Sequence, residues 1–223
     1  MREKPKIPYY TVIPILFTFF EALLFYRIPM DLCEKLYHYD FTTAFDRAVP
    51  LIPWTEVIYL SFAVFLGVNY ALVGTISKEA FYRLFAADMV GRVISMLIFI
   101  FLPTTNVRPE IVVTDLFTWV LNLVYTVDMP ANLLPSVHCL VTWFAFIALL
   151  GKNNKIKTWY KVFSFVYAML IFISTMTTKQ HIYYDVLLGA FIAQVVYMLR
   201  GKFGFYRIFE RIFTKINRLL KIE

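Results

Sequence analysis

"HIYYDVLLGAFIAQVVYMLR", His181–Arg200, opens with an imidazole and a carboxylate four residues apart and then turns almost wholly apolar. At ~1.5 Å rise per residue, a helical run of about 20 residues crosses a bilayer core about 30 Å thick. Runs of similar character stand at Tyr9–Tyr26, Trp54–Val73, Ala86–Leu102, Val137–Leu150 and Tyr160–Thr177. Six spans are therefore expected. Val137–Leu150 is short for a crossing, which would set His138 below the headgroup plane. A seventh apolar stretch, Ile111–Val127, holds Asp115 and Asn122 between Pro109 and Pro130 and reads as a re-entrant or interfacial helix. The expected fold class is all-α, an integral membrane six-helix bundle.

Composition agrees. Of 223 residues, 60% are hydrophobic and 19% aromatic, with only 7 glycines, a balance that excludes an ordinary soluble domain. The net charge of +7 does not point to nucleic acid, because the cations flank apolar runs and so orient the chain in a membrane. The basic start, Met1–Lys6, precedes a long apolar run with no small-residue cleavage site, which predicts an uncleaved first span.

Arg2, Lys4, Lys6, Lys78, Arg83, Lys152, Lys155, Lys157, Lys161 and the C-terminal cations fall on one side of the six spans. Arg27, Lys35, Arg47, Arg108 and Lys179 fall on the other. The more basic side is the cytoplasmic one, so both termini are expected there, in a plasma membrane.

Beyond Gly201, Phe205, Phe209, Ile212, Phe213, Ile216, Leu219 and Leu220 recur at helical spacing, while Arg207, Arg211, Lys215, Arg218 and Lys221 fall elsewhere around the helix. Residues 1–200 thus read as the membrane domain and 201–223 as a basic amphipathic helix, on the anionic inner leaflet or at a dimer contact. Cys33 and Cys139 have neither zinc-ligand spacing nor disulfide-scaffold density and are expected as free thiols.

Ionisable groups at membrane depth are either paired or functional. Asp88 and Arg92 can neutralise each other across one helical turn, whereas Glu21 and Glu56 have no evident partner in the sequence. Two of the three histidines, His138 and His181, begin spans separated by an even number of crossings, so they emerge on one face and can converge.

His181 and Asp185, at i and i+4, share a helix face, where the carboxylate can accept the Nδ1 proton and leave Nε2 as base or nucleophile. His138 suits a general acid. Arg108 and Lys179 can bind an anion, and Ser136 adds a hydroxyl at a helix N-terminus. Three duller readings compete. Single interfacial histidines often only bond to backbone; two histidines and a carboxylate can hold iron or zinc, which the neighbouring cations disfavour; paired histidines can hold haem, which has no use for Asp185.

Three blocks, "RPE" at Arg108–Glu110, "PSVH" at Pro135–His138 and "STMTTKQHIYYD" at Ser174–Asp185, resemble the type 2 phosphatidic acid phosphatase superfamily of membrane lipid phosphatases and phosphotransferases. Their order matches that family, as does the spacing of Ser174, His181 and Asp185.

The resemblance implies a phosphohistidine at His181, oriented by Asp185, with His138 protonating the leaving group and Ser136 and Arg108 binding phosphate oxygens, without a metal or other cofactor. Two departures are plain: Phe101 stands where the family usually has lysine, and Thr175 where it usually has arginine. Lys179 is the expected compensation. Inositol phosphorylceramide and sphingomyelin synthases resemble this chain in lacking that arginine, so transfer to a lipid hydroxyl stands beside hydrolysis. A non-catalytic membrane protein with a degenerate site is the remaining reading. The substrate expected is a lipid phosphate or diphosphate.

Overall fold

The computed structural model describes residues 7–151, 156–200 and 204–222. The N-terminal cations Arg2, Lys4 and Lys6, with Lys152, Lys155 and the junction at Gly201, lie outside the described residues.

Among the described residues the protein is all-α apart from one two-residue parallel pairing, β1 (Tyr39–Asp40) with β2 (Thr104–Thr105). In chain order the helices are α1 (Val12–Cys33), α2 (Ala44–Ala48), α3 (Glu56–Leu60), α4 (Phe62–Ile76), α5 (Lys78–Phe101), α6 (Leu116–Val127), α7 (Val137–Ile147), α8 (Thr158–Thr177), α9 (Tyr183–Leu199) and α10 (Tyr206–Leu219).

Four stretches, Tyr9–Cys33, Pro53–Ile76, Lys78–Phe101 and Thr158–Thr177, are long and apolar enough to cross a membrane. Leu116–Val127, Val137–Leu150 and Tyr183–Leu199 are shorter apolar helices. Large apolar side chains stand outward along the long helices, among them Leu16, Phe20 and Leu23 of α1, Val64 and Val68 of α4, and Val162, Val166 and Ile173 of α8. Exposure on this scale marks a surface whose solvent is lipid. The chain is an integral membrane protein.

Helix ends depart from the apolar runs for local reasons. The first helix continues past Tyr26 to Cys33, and Arg27 and Asp31 pair at 3.4 Å across one exposed turn, which suits a helix leaving the hydrocarbon. The third apolar run, Ala86–Leu102, is only the later part of α5, which starts at Lys78. There the Ser77 hydroxyl accepts the Ala80 N–H at 3.0 Å, a cap worth about 1 kcal/mol. At α6, Asp115 and Thr118 form a capping box, and the helix ends after 12 residues, too few to cross a bilayer core.

The core lies where α4, α5, α7 and α9 meet, around Tyr70, Phe81, Tyr82, Phe85, Leu140 and Phe144. Arg92 is buried there, with Nε 2.9 Å from Asp88 Oδ1 and 3.0 Å from Glu21 Oε1. Glu21, without a partner in the sequence reading, thus finds one on another helix.

Loops gather at two ends. At one end Ile52 N–H donates to the Thr177 carbonyl at 2.9 Å, Asn106 Nδ2 to the Lys179 carbonyl at 3.0 Å, and the Tyr125 hydroxyl to the Thr178 carbonyl at 2.7 Å. At the other, Lys78 Nζ donates to Thr214 Oγ1 at 3.0 Å, and α10 packs Phe209 and Phe213 against Phe85. The C-terminal helix therefore lays one apolar row on α5 and keeps a second, Ile208, Ile212 and Leu219, exposed.

Candidate active site

The loop between α8 and α9 builds the first half of the site. The Thr175 carbonyl accepts the N–H groups of both Gln180 and His181 at 3.0 Å, turning the chain sharply after α8. Lys179 takes the left-handed conformation in this turn, at φ 56°, which costs a non-glycine residue about 1 kcal/mol or more. Its side chain offsets the strain, donating to the Asp46 carbonyl at 2.7 Å and to the Val49 carbonyl.

His181 follows two residues later and is 8% exposed. It stands before α9, not on it, which corrects the shared-helix-face premise. Contact with Asp185 survives because Asp185, in the first turn of α9, reaches back. Its Oδ2 accepts the Ile182 N–H at 2.9 Å and lies 3.3 Å from His181 Nδ1. A carboxylate at that position is also favoured by the helix dipole.

His138 comes from the first turn of α7. Ser136 caps that helix, its buried Oγ accepting the Cys139 N–H at 3.3 Å, while its own N–H donates to the Asp185 carbonyl at 2.9 Å. The backbones of α7 and α9 touch here because residue 189 is glycine: a Cβ would lie 2.4 Å from the Ser136 carbonyl oxygen. The approach brings His138 Nδ1 to 3.3 Å from His181 Nε2.

With Asp185 accepting the Nδ1 proton of His181, Nε2 carries a lone pair, and His138 Nδ1 is the donor facing it. His138 itself is held between rings, edge-on to Phe62 with centroids 4.6 Å apart and tilted against Tyr59 at 4.6 Å. The Tyr59 hydroxyl lies 3.0 Å from Nε2 and 3.4 Å from Nδ1. An oxygen that near both nitrogens sits over the ring face, in line with neither the N–H nor the lone pair, so it packs on the ring without taking its proton.

A cavity lies on each side of this pair. His181 lines a polar one of about 330 Å³, together with Arg108, Lys179, Asn106, Asp46 and Arg47. His138 lines an apolar one of about 530 Å³, walled by α1, α4 and α6 through Phe19, Leu23, Phe62, Leu66, Leu123 and Val127.

Arg108 lies over the Tyr125 ring at 4.8 Å and donates from Nη1 to the Asp128 carbonyl, while its buried Nε and Nη2 have no hydrogen-bond partner. Asn106 uses Nδ2 on the Lys179 carbonyl, which fixes the amide's orientation and leaves Oδ1 a buried acceptor without a partner. Glu56, one turn before Tyr59, is fully buried, with neither carboxylate oxygen hydrogen-bonded.

Of the six expected site residues, His138, His181 and Asp185 come together, and Arg108 and Lys179 line the polar cavity. Ser136 is turned into its helix cap. The Lys179 ammonium gives two of its three N–H groups to backbone carbonyls, a loop-holding role that the sequence reading does not include. Burial lowers its pKa, against the Asp46 charge, which raises it.

Asp46 fastens the same loop. Its Oδ1 accepts the Tyr183 N–H at 2.7 Å and its Oδ2 the Thr43 N–H at 2.9 Å. Burial raises its pKa, but hydrogen bonds from Thr43 and Tyr183 and the Lys179 charge outweigh that and hold it low. Asp46, Asn106, Asp128 and Tyr59 were not singled out in the sequence. Only Asp46 had a legible signal, the capping-box spacing from Thr43. Among the described residues no three His, Cys, Asp or Glu side chains gather as metal ligands.

Comparison of the chain with models of known families, with curated proteins and with solved structures found no match.

Proposed function

We propose that the chain is a lipid phosphatase of the type 2 phosphatidic acid phosphatase kind, a six-span plasma-membrane enzyme with cytoplasmic termini and its site at the outer face. On this reading α1, α3 with α4, α5, α7, α8 and α9 make the crossings, and α6 lies at the interface as a lid over the site end. The observation that carries the reading is the line Asp185, His181, His138 set between a polar cavity holding Arg108 and an apolar cavity able to take a hydrocarbon chain.

Attack begins from the His181 Nε2 lone pair, which forms a bond to phosphorus as the bond from phosphorus to the lipid oxygen breaks. His138 gives its proton to that leaving oxygen. The phosphoryl group has to enter between the two rings, so the 3.3 Å contact of the resting state opens when substrate binds. Asp185 holds the Nδ1 proton and stabilises the charge that develops on His181. Arg108 offers Nε and Nη2 to the phosphate oxygens while Nη1 keeps its place on Asp128. Lys179 adds positive potential through the loop it holds. Water then attacks the phosphohistidine, returning a proton to His138 and releasing phosphate from His181.

One observation favours a second reading, transfer of a phospho-headgroup to a lipid hydroxyl. The unpartnered Asn106 Oδ1 in the polar cavity is an acceptor, which repels phosphate oxygens and suits a hydroxyl on a headgroup.

The test is purified protein incubated with phosphatidate, phosphatidylglycerol phosphate and a polyprenyl diphosphate in chelator, with and without a ceramide or diacylglycerol acceptor. Acid-labile phosphate on the enzyme and free phosphate are both followed. Loss of labelling and at least a thousandfold loss of turnover in His181→Ala is expected. Turnover retained in His181→Ala would sink the reading, and product formed only with acceptor would replace hydrolysis by transfer.

A further inference from the structure

At the end of the molecule opposite the histidine pair, we infer a second lipid site: a groove between the start of α5 and α10 that binds the headgroup of an anionic phospholipid. The two ends are separated by the 24 residues of α5, about 36 Å of helix. The groove, about 650 Å³, is lined by Lys78, Arg207, Arg211, Lys215 and Arg218, with Glu210 the one acid among its lining residues.

Glu210 is already placed, 3.7 Å from Lys78 Nζ, so it offsets one cation and leaves the groove strongly positive. Arg207 is turned toward the Tyr206 hydroxyl at 3.3 Å. Arg211 and Lys215, one turn apart, have no hydrogen-bond or ion partner among the described residues, and α10 presents both to the groove.

Charge alone would suit any polyanion; the helix's apolar rows decide the class. Tyr206, Phe209 and Phe213 anchor one face of α10 on the bundle, while Ile208, Ile212 and Leu219 remain exposed. That second row has no protein cover among the described residues and belongs in hydrocarbon, which sets the helix at headgroup depth. A ligand beside it that is both anionic and attached to acyl chains satisfies the groove and the row together; an acidic peptide satisfies only the groove. The face is also the one that the basic loops assign to the inner leaflet, where anionic lipids gather.

The full chain, purified in neutral detergent, is titrated with phosphatidylglycerol or phosphatidylcholine while thermal unfolding is recorded, and retained lipids are counted by native mass spectrometry. Phosphatidylglycerol is expected to raise Tm and to stay bound, and phosphatidylcholine to do neither. In Arg211→Gln/Lys215→Gln the affinity for phosphatidylglycerol should fall roughly twenty-fivefold, about fivefold for each cation removed, and in Arg27→Gln, at the other end, it should not change. Equal stabilisation by phosphatidylcholine or by polyglutamate would overturn the site, as would unchanged affinity in the double variant. The wild-type lipid count tests it independently of how that variant folds.

Discussion

Lys179 shows how a side chain's surroundings decide its work. Its spacing from His181 suggests a phosphate ligand, yet its left-handed backbone turns the ammonium to the carbonyls of Asp46 and Val49, where it holds the 39–52 loop over the site. Lys179→Met is accordingly expected to lower stability by about 1–2 kcal/mol, the worth of charged hydrogen bonds discounted for partial exposure. It should free residues 39–52 to faster amide exchange, with kcat/KM for a lipid phosphate falling less than tenfold. A larger fall without a change in exchange would return Lys179 to the phosphate. Side-chain identity and spacing are legible in a sequence, but a positive φ and a distant carbonyl are not. His181 and Asp185 make the companion case: the partner is read correctly from the four-residue spacing, although the contact arises from a carboxylate at a helix start reaching back.

Among the elements, the crossing of α7 and α9 sets the distance between the two histidines. Gly189 permits it, since a methyl group there would meet the Ser136 carbonyl oxygen at 2.4 Å, and that oxygen belongs to helix backbone that cannot swing aside. Gly189→Ala is expected to cost about 1–3 kcal/mol and to lower kcat by tenfold or more as the rings separate. Gly67→Ala, with nothing within 4 Å of the added methyl, should leave both unchanged or slightly improve stability. Thermal unfolding and steady-state rates of the two variants check this directly. The glycine's purpose was hidden in the sequence because it depends on a neighbour more than fifty positions away. The end of α6, by contrast, was open to reading, since the break before Pro130 stops the apolar run where the helix stops.

Across the whole molecule, the apolar character of the four helices long enough to cross a membrane was legible in composition, because solvation by lipid acts on every residue of a span. Pairing between spans was not. Glu21 and Asp88 share Arg92, and nothing local to Glu21 announces it. Arg92→Met would leave two buried carboxylates without their cation, an expected loss of about 3–5 kcal/mol, most of it restored by adding Glu21→Gln and Asp88→Asn. Unfolding in mild detergent measures both steps; equal stability of Arg92→Met and wild type would refute the shared pairing. The head of α9 carries a last consequence. Tyr183 takes its partner from Asp46, 137 positions earlier, and the Asp185 carbonyl takes its own from Ser136. During synthesis, therefore, the contacts that join the loop at Asp46 and the start of α7 to α9 can form only after residues 183–185 have left the ribosome, so this end of the molecule is the last to be assembled.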